Sequence, residues 1–173
     1  NGNLYIVKNK HTIVKITPDN VESVLLDGST IFNYIKYIAI DSNNDLFVTD
    51  VEAYKIYKVT LDGTITHYAG TGERDDVNGA RLSAKFNSPA GLAFDSAGNL
   101  YVADKWVDKI KKITPDGTVT TFATVTQPMA IVYDSNNNNF IVNGGRDLYK
   151  IDMTGNSTLL SAVNIQIESL AID

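Results

Sequence analysis

Short apolar runs separated by turn residues recur along the whole chain, and they predict β-strands. Leu46–Val48 and Leu100–Ala103 are apolar at consecutive positions, whereas Thr118–Phe122 alternates threonine with apolar residues. A strand without a polar face has to be covered on both sides, and an alternating strand suits a partly wet edge. No amphipathic segment has the length of a helix, and residues 79–86 are expected to form at most one short helical turn.

These runs belong to a unit that is present four times. Two copies read GLAFDSAGNLYVAD at 91–104 and YIAIDSNNDLFVTD at 37–50, and a third lies between Ala130 and Asn143. The fourth copy is divided between the chain ends, with its front half at 170–173 and its back half at 3–7. The mean length is about 43 residues, which is typical of a propeller blade.

Each unit predicts four short antiparallel strands, which we label a to d. Asp62-Gly63 and Asp116-Gly117 separate strands c and d, and Asp-Gly between two β-rich runs favours a tight hairpin turn. Strand b is apolar on both faces, so each sheet is expected to lie between neighbouring sheets. The predicted fold class is therefore all-β, a β-propeller of four-stranded antiparallel blades with four blades in this chain. A β-sandwich is the alternative, but its strand b would also alternate.

The same residues resemble the NHL-repeat β-propeller family. The resemblance lies in the Gly-Leu-Ala-Phe-Asp and Gly-Asn-Leu-Tyr-Val-Ala-Asp cadence, and in a long loop at 70–88 that ends in Ala-Lys-Phe-Asn-Ser-Pro-Ala-Gly. The family's Asn-(His/Arg)-Arg motif after strand b is replaced by Val107-Asp108-Lys109 and Ala53-Tyr54-Lys55, so a shared chemistry is not carried over.

The resemblance implies one NHL-type propeller domain, or a segment of one, over residues 1–173. Two ring sizes are open: a closed four-bladed ring, or four blades of a larger, six-bladed ring, which we favour. Sedimentation of the chain would separate them, because a compact monomer favours closure. The predicted blades comprise strands b to d at 1–27 completed by 166–173, then approximately 34–69, 89–123 and 128–161.

Composition narrows the classes of function. The chain has 15 Lys and Arg against 20 Asp and Glu, a net charge of −5, with no Cys and two His. An acidic chain is poorly suited to binding a phosphate backbone, so nucleic acid is not the expected partner. No apolar run has the roughly 18 residues needed to span a bilayer. We therefore expect neither a transmembrane segment nor a cysteine-based site.

No cofactor and no catalytic residue are expected. Asp41–Asp45 has the spacing of a calcium loop, with Glu52 at the twelfth position, but the sixth position is Leu46 where such loops need glycine. We interpret Asp41 as a turn cap. A divalent metal in the central channel, with His11 and His67 as ligands, is a second possibility that we regard as improbable.

The candidate binding surface is set by topology. In a propeller, the loops between strands b and c and those between blades emerge on one face and surround the channel. Trp106, the single tryptophan, lies between charged residues in such a loop, as is typical of contact hot spots. The candidate binding residues are Lys10, His11, Glu52, Tyr54, Arg74, Arg81, Lys105, Trp106, Arg146 and Asp147.

Three functions are compatible with this pattern. The first is a non-enzymatic binding scaffold whose loop face recognises a protein, peptide or glycan; if the chain is a segment, the remaining blades of the ring are a further partner. The second is a propeller lyase or hydrolase with a metal or polar site at the channel, and the third is RNA binding. We expect a secreted, periplasmic or cell-surface bacterial protein, with a cytoplasmic location as the alternative.

Overall fold

The computed structural model describes residues 2–162 and 170, which form four antiparallel sheets. The first sheet contains β1 (Leu4–Lys8), β2 (Thr12–Ile16) and β3 (Glu22–Asp27). The second contains β4 (Ile35–Ile40), β5 (Leu46–Asp50), β6 (Lys55–Val59) and β7 (Ile65–Ala69). The third contains β8 (Gly79–Ala80), β9 (Pro89–Phe94), β10 (Leu100–Asp104), β11 (Lys109–Ile113) and β12 (Thr118–Thr124). The fourth contains β13 (Pro128–Asp134), β14 (Asn139–Gly144), β15 (Asp147–Asp152) and β16 (Ser157–Ala162).

The sheets are blades arranged around an axis. Apart from β8, the strands of each blade follow one another from the inside outwards, and the innermost strand β9 contacts both β4 and β13. Aspartate makes the turns that join strands a and b: Asp95 Oδ1 accepts the N–H groups of Ala97 and Asn99, both at 2.9 Å. The predicted all-β propeller of antiparallel blades is confirmed. The strand predicted at 166–173 lies outside the described residues, apart from Leu170.

The core is divided into layers between the blades, as the apolar b strands predict. Every residue of β5 and β10 is buried, whereas every residue of the outer strand β16 is exposed. Separate apolar clusters fill the spaces between the first and second, second and third, and third and fourth blades. The expectation that strand b is covered on both faces is therefore confirmed for β5 and β10, whereas β1 in the first blade is only partly buried.

Apolar side chains are exposed on both outer blades. Leu4 and Val24 of the first blade are 57% and 62% exposed, and Leu159 and Leu160 of the fourth are 53% and 51% exposed. Burying such side chains is favourable. The division of 1–173 into blades and the size of the ring both stay predictions.

The long loop at 70–88 folds against the third blade. Its strand β8 pairs with the outer strand β12, so this blade has five strands. The N–H of Ala84 donates to the carbonyl of Ala80 at 2.8 Å, which closes the single helical turn expected in this stretch. Phe86 then enters the core between the second and third blades.

Each blade has two ends that differ in what they expose. At one end, which we call the loop face, strand b passes into strand c and the chain enters from the preceding blade. Hydrogen bonds join these two segments: Lys105 N donates to Ser88 O at 3.0 Å, and Val51 N to Tyr34 O at 3.0 Å. At the other end, the turn face, strands a and b and strands c and d are joined by tight turns.

Candidate functional site

A buried polar side chain fixes the backbone of the loop face in two blades. Asp50 accepts the N–H groups of Asn33 and Tyr34 at 2.7 and 2.9 Å. Asp104 accepts the corresponding N–H groups of Asn87 and Ser88. In the fourth blade Gly144 lies at the corresponding position, opposite Pro128, and the preceding residue Asn143 accepts the N–H of Ala130 within β13 at 2.5 Å. In the second and third blades, the last residue of strand b thus holds the segment entering its own blade.

Burying the carboxyl group of Asp104 makes its ionised form less favourable. Its side chain is fully buried, and burial raises the pKa of its carboxyl, although the backbone N–H groups of Ser88 and Asn87 lower it in part. Because these N–H groups would otherwise be buried without partners, the carboxylate satisfies donors that the fold leaves open. We therefore assign Asp104 a structural role beneath the loop face.

Lys105, Trp106 and Arg146 lie on the loop face of adjacent blades. A short 3-10 turn over Lys105–Val107 follows β10 directly and ends at Asp108, whose φ of 57° is left-handed. Asp108 Oδ1 accepts the N–H of Gln127 at 2.8 Å, which ties the turn to the segment entering the fourth blade. The indole of Trp106 is 53% exposed, and Lys105 Nζ lies 4.8 Å from its ring centroid.

The two cations share a shallow cavity beside this indole. Lys105 and Arg146 line a cavity of about 180 Å³ together with Gln127, Met129 and Gly145. Neither cation pairs with a carboxylate among the described residues. The surface therefore combines an exposed aromatic ring, an apolar thioether and two uncompensated positive charges.

A second part of the loop face lies between the first and second blades. Lys10 Nζ is 4.8 Å from the ring centroid of Tyr34, and both line a cavity of about 240 Å³ that also contains Lys36. His11 follows Lys10, and its Nε2 lies 3.2 Å from the carbonyl oxygen of Asn33. The structure thus brings Lys10 and His11 to the same side of the blades as Trp106.

The remaining predicted residues of the loop face line none of the cavities described above. Glu52 is exposed, and Tyr54 beside it adopts a left-handed φ of 56°. Asp147 begins β15. Arg74 lies in the long loop, where its Nε donates to Asn87 Oδ1 at 2.6 Å. A binding role for these four residues stays a prediction.

The sequence analysis placed Arg81 on the loop face, but its side chain lies towards the turn face. Its N–H donates to Gly117 O, in the turn between strands c and d, at 2.8 Å. Its guanidinium lines a cavity of about 380 Å³ between the second and third blades, which also contains Asp41 and Pro115. The prediction assumed that the whole long loop stays on the loop face, but β8 carries this part of the loop along the outer edge of β12.

This inter-blade cavity was not predicted from the sequence. Its walls come from turns that the sequence analysis interpreted as structural, together with the rings of Phe47, Tyr68 and Phe94. Those rings belong to strands of two blades, so their convergence depends on how the blades pack. Apolar residues in strands d and a were the available sequence signal for this cavity. Such residues are equally expected in the hydrophobic core, so they did not predict it.

A buried charge cluster fastens the long loop, and it too was missed. Lys111 is fully buried, and its Nζ lies 2.9 Å from Asp76 Oδ1. Lys109 donates to the other oxygen of Asp76. Burial by itself would raise the pKa of Asp76, but the hydrogen bonds from Lys109 and Lys111 outweigh it and the pKa lies below its ordinary value. The loop is thereby tied to strand β11.

The metal-binding alternatives have weak geometric support. Asp41 Oδ1 accepts the N–H groups of Asn43 and Asp45, both at 2.9 Å, which makes Asp41 a turn cap. Glu52 lies beyond the far end of β5, so it cannot share a centre with Asp41. His67 Nε2 lies 2.6 Å from the carbonyl oxygen of Gly70, in a different blade from His11. Among residues 2–162 and 170, no three His, Cys, Asp or Glu side chains converge as a metal site.

The central channel is mostly apolar at the level of the innermost strands. A cavity of about 240 Å³ lies there, and its walls come from β4, β9 and β13. Its lining residues are Tyr37, Ile38, Gly91, Leu92, Ala130, Ile131, Val132 and Leu170. Among the described residues, this lining includes Tyr37 but no carboxylate or imidazole for acid–base chemistry. The part of the chain that the structure describes has no helix with the length and apolarity needed to cross a membrane.

Comparison with known proteins supports the repeat and the fold. The NHL repeat model matches residues 86–112. Human NHL repeat-containing protein 2 is 41% identical over 80 residues, which are 40% of this chain and 11% of the relative; its counterpart from Gallus gallus is 40% identical over 82 residues. The matched part of the chain therefore covers about a tenth of the length of these relatives.

Solved structures extend the similarity to the whole fold. A chain of a nidogen–laminin complex aligns with a TM-score of 0.79 and 20% identity, over 99% of this chain and 66% of the other. Virginiamycin B lyase from Staphylococcus aureus aligns with a TM-score of 0.68 and 21% identity, over 91% and 51%. At such identities the similarity concerns the fold alone. The sequence resemblance to NHL-repeat propellers is confirmed.

Proposed function

We propose that this NHL-repeat β-propeller is a non-enzymatic binding scaffold, and that its loop face captures an acidic, partly apolar surface of a protein or peptide partner. The observation that carries the proposal is the group formed by Trp106, Lys105 and Arg146. Exposed tryptophan and arginine are the residue types that contribute most to binding at protein interfaces. The proposal includes the extracytoplasmic location expected from the sequence.

Charge supports an acidic partner. Lys105 and Arg146 line one cavity without a carboxylate partner among the described residues, and Lys10 and Lys36 line another on the same face. The chain as a whole carries −5, but these two cavities place four cations on one face. Complementary charges speed encounter and select partners.

The similarity to a nidogen–laminin complex lends this proposal further support, since the aligned propeller comes from a complex with a protein. Because virginiamycin B lyase has a similar fold, a lyase remains the alternative function. What speaks for binding over catalysis is the composition of the channel lining, which contains no carboxylate and no imidazole among the described residues.

Selection from a displayed peptide library on the wild-type chain would test the proposal. We expect enriched peptides to place Asp or Glu beside an apolar residue. Their affinity should fall by about tenfold or more for Trp106→Ala and for Arg146→Ala, because each change removes an anchor at the centre of the contact.

Matched controls on the outer strands separate this effect from a general loss of charge or apolar surface. Lys150→Ala removes an exposed cation and Leu160→Ala an exposed apolar side chain, and both should leave affinity unchanged. Enriched peptides without acidic residues, or equal binding by the Trp106→Ala variant, would refute the proposal. Tighter, salt-dependent binding of single-stranded oligouridine would favour the RNA alternative instead.

A further inference from the structure

The inter-blade cavity on the turn face is the largest of those described, at about 380 Å³. This volume lies within the range of small-molecule sites. It opens between the turns joining strands a and b of the second and third blades, far from Trp106. Its residues therefore form a site separate from the loop face.

Three aromatic rings form the apolar wall of this cavity. Phe47 is almost completely buried, and its ring makes edge contacts with Tyr68 and Phe94 at centroid distances of 4.8 and 4.9 Å. Tyr68 and Phe94 are only partly buried, and both face the cavity from different blades. The negative face of an aromatic ring attracts weakly positive C–H groups, so these rings suit the flat, C–H-bearing face of a sugar.

A guanidinium without a carboxylate partner lies beside this wall. The carbon Cζ of Arg81 is 4.8 Å from the ring centroid of Tyr68, and Arg81 forms no ion pair among the described residues. Lys58, the other cation of the cavity, is paired with Asp45 at 2.6 Å. The backbone of Arg81 is held on both sides, by Gly117 O and by the N–H of Gly70. The guanidinium itself is positioned by the Tyr68 ring, and the planar guanidinium of arginine is well suited to bidentate binding of a carboxylate.

Hydroxyl-binding groups lie around the mouth of the cavity. Asp41 uses Oδ1 in its turn, and no hydrogen bond to its Oδ2 is found within the described residues. Ser42 and the amide of Asn43 are exposed at the rim. Burial raises the pKa of Tyr68, against the opposing charges of Arg81 and Lys58, so its hydroxyl stays protonated at neutral pH.

We propose that the inter-blade cavity binds an acidic monosaccharide unit, a hexuronate. Its carboxylate would pair with Arg81 where that side chain lies over Tyr68, its C–H face would stack on Phe94, and its hydroxyl groups would meet Asp41 and Asn43. This arrangement places the negative charge of the ligand at the guanidinium and its neutral hydroxyls at the carboxylate of Asp41. The site goes beyond the proposed scaffold function and does not depend on it.

Ligand-observed NMR with four small probes tests the chemistry. Methyl glucuronide, its C6 carboxamide and methyl glucoside share one sugar ring and differ in the group at C6, while benzoate carries a carboxylate on an aromatic ring. We expect methyl glucuronide to bind with a dissociation constant on the order of 1 mM, and the two neutral sugars about tenfold more weakly, since they lack the charge-assisted contact.

Two variants then locate the site. Arg81→Met keeps an extended side chain but removes the guanidinium, and should weaken methyl glucuronide about tenfold while leaving the neutral sugars unchanged. Lys150→Met, which removes an exposed cation from β15 of the fourth blade, is the matched control and should bind as the wild type. Circular dichroism would verify that both variants are folded. Absence of glucuronide binding, equal binding of methyl glucoside, stronger binding of benzoate, or unchanged binding by the Arg81→Met variant would each overturn the proposal.

Discussion

The charge cluster under the long loop predicts an asymmetry between its two partners. Lys111 is completely buried, whereas the side chain of Asp76 is 26% exposed and also contacts Lys109. Asp76→Asn therefore leaves a buried ammonium group without its counter-charge. Lys111→Met removes the buried charge and leaves Asp76 with Lys109 and water. We expect Asp76→Asn to destabilise the protein more than Lys111→Met does.

The magnitude follows from the burial of each group. Removing one partner of a buried ion pair costs about 3–5 kcal/mol when the remaining charge is buried, and the partial exposure of Asp76 places Asp76→Asn near 3 kcal/mol. Lys111 Nζ also donates to Lys85 O, but that carbonyl already accepts the N–H of Val77. Lys111→Met thus leaves no buried acceptor unpaired and should cost about 1 kcal/mol or less. The difference of about 2 kcal/mol is roughly 30-fold in the unfolding equilibrium.

Urea denaturation is the suitable assay, because guanidinium chloride would screen the ion pair being measured. The double variant Asp76→Asn, Lys111→Met should be more stable than Asp76→Asn alone, since the stranded charge is gone. Hydrogen exchange at the amides of Val77 and Lys85, which pair across the loop, should accelerate in Asp76→Asn. Equal or greater destabilisation by Lys111→Met would refute the reasoning.

Two further predictions concern the channel and the outer turns. A Cβ added at Gly91 would lie 2.4 Å from Met129 O on the neighbouring innermost strand, so Gly91→Ala should lower the free energy of unfolding by about 1–3 kcal/mol; an unchanged urea midpoint would contradict this. The hydroxyl of Thr60 donates to Asp62 and holds the pKa of its carboxyl at about 2, below the ordinary 3.8. Ionised Asp62 therefore stabilises the folded protein fully above pH 3.8, and this contribution is lost as the pH falls towards 2. We expect Thr60→Val to raise the Asp62 pKa in an NMR titration. An unchanged pKa would show that another group is responsible.

The propeller could be predicted because its determinants are local and repeated. The unbroken apolar run Leu100–Ala103 requires cover on both faces wherever it lies, and β10 is indeed buried throughout. Asp95 makes its turn through atoms only two and four residues away. Each unit therefore specifies its own blade, and four similar units reinforce the same conclusion.

The cavities and the charge cluster depend on contacts between units, which a repeat pattern does not encode. Lys111 occupies a strand position that reads as a solvent-facing cation, and its burial follows from the path of the long loop over β11. Arg81 was assigned to the wrong face for the same reason. Lys105 and Arg146 line one cavity, because the loops of neighbouring blades emerge on one side by topology alone, and their role in binding stays a prediction.

On the loop face, the side chains that order the backbone are different from the exposed side chains proposed to bind a partner. Asp50 and Asp104 hold the entering segment by its backbone N–H groups, so loop side chains such as Trp106 are not needed to fix the chain. The long loop is held differently, by an ion pair between the side chains of Lys111 and Asp76. Substitutions of exposed loop-face side chains should therefore alter binding without altering stability, because the contacts that order the backbone lie beneath them.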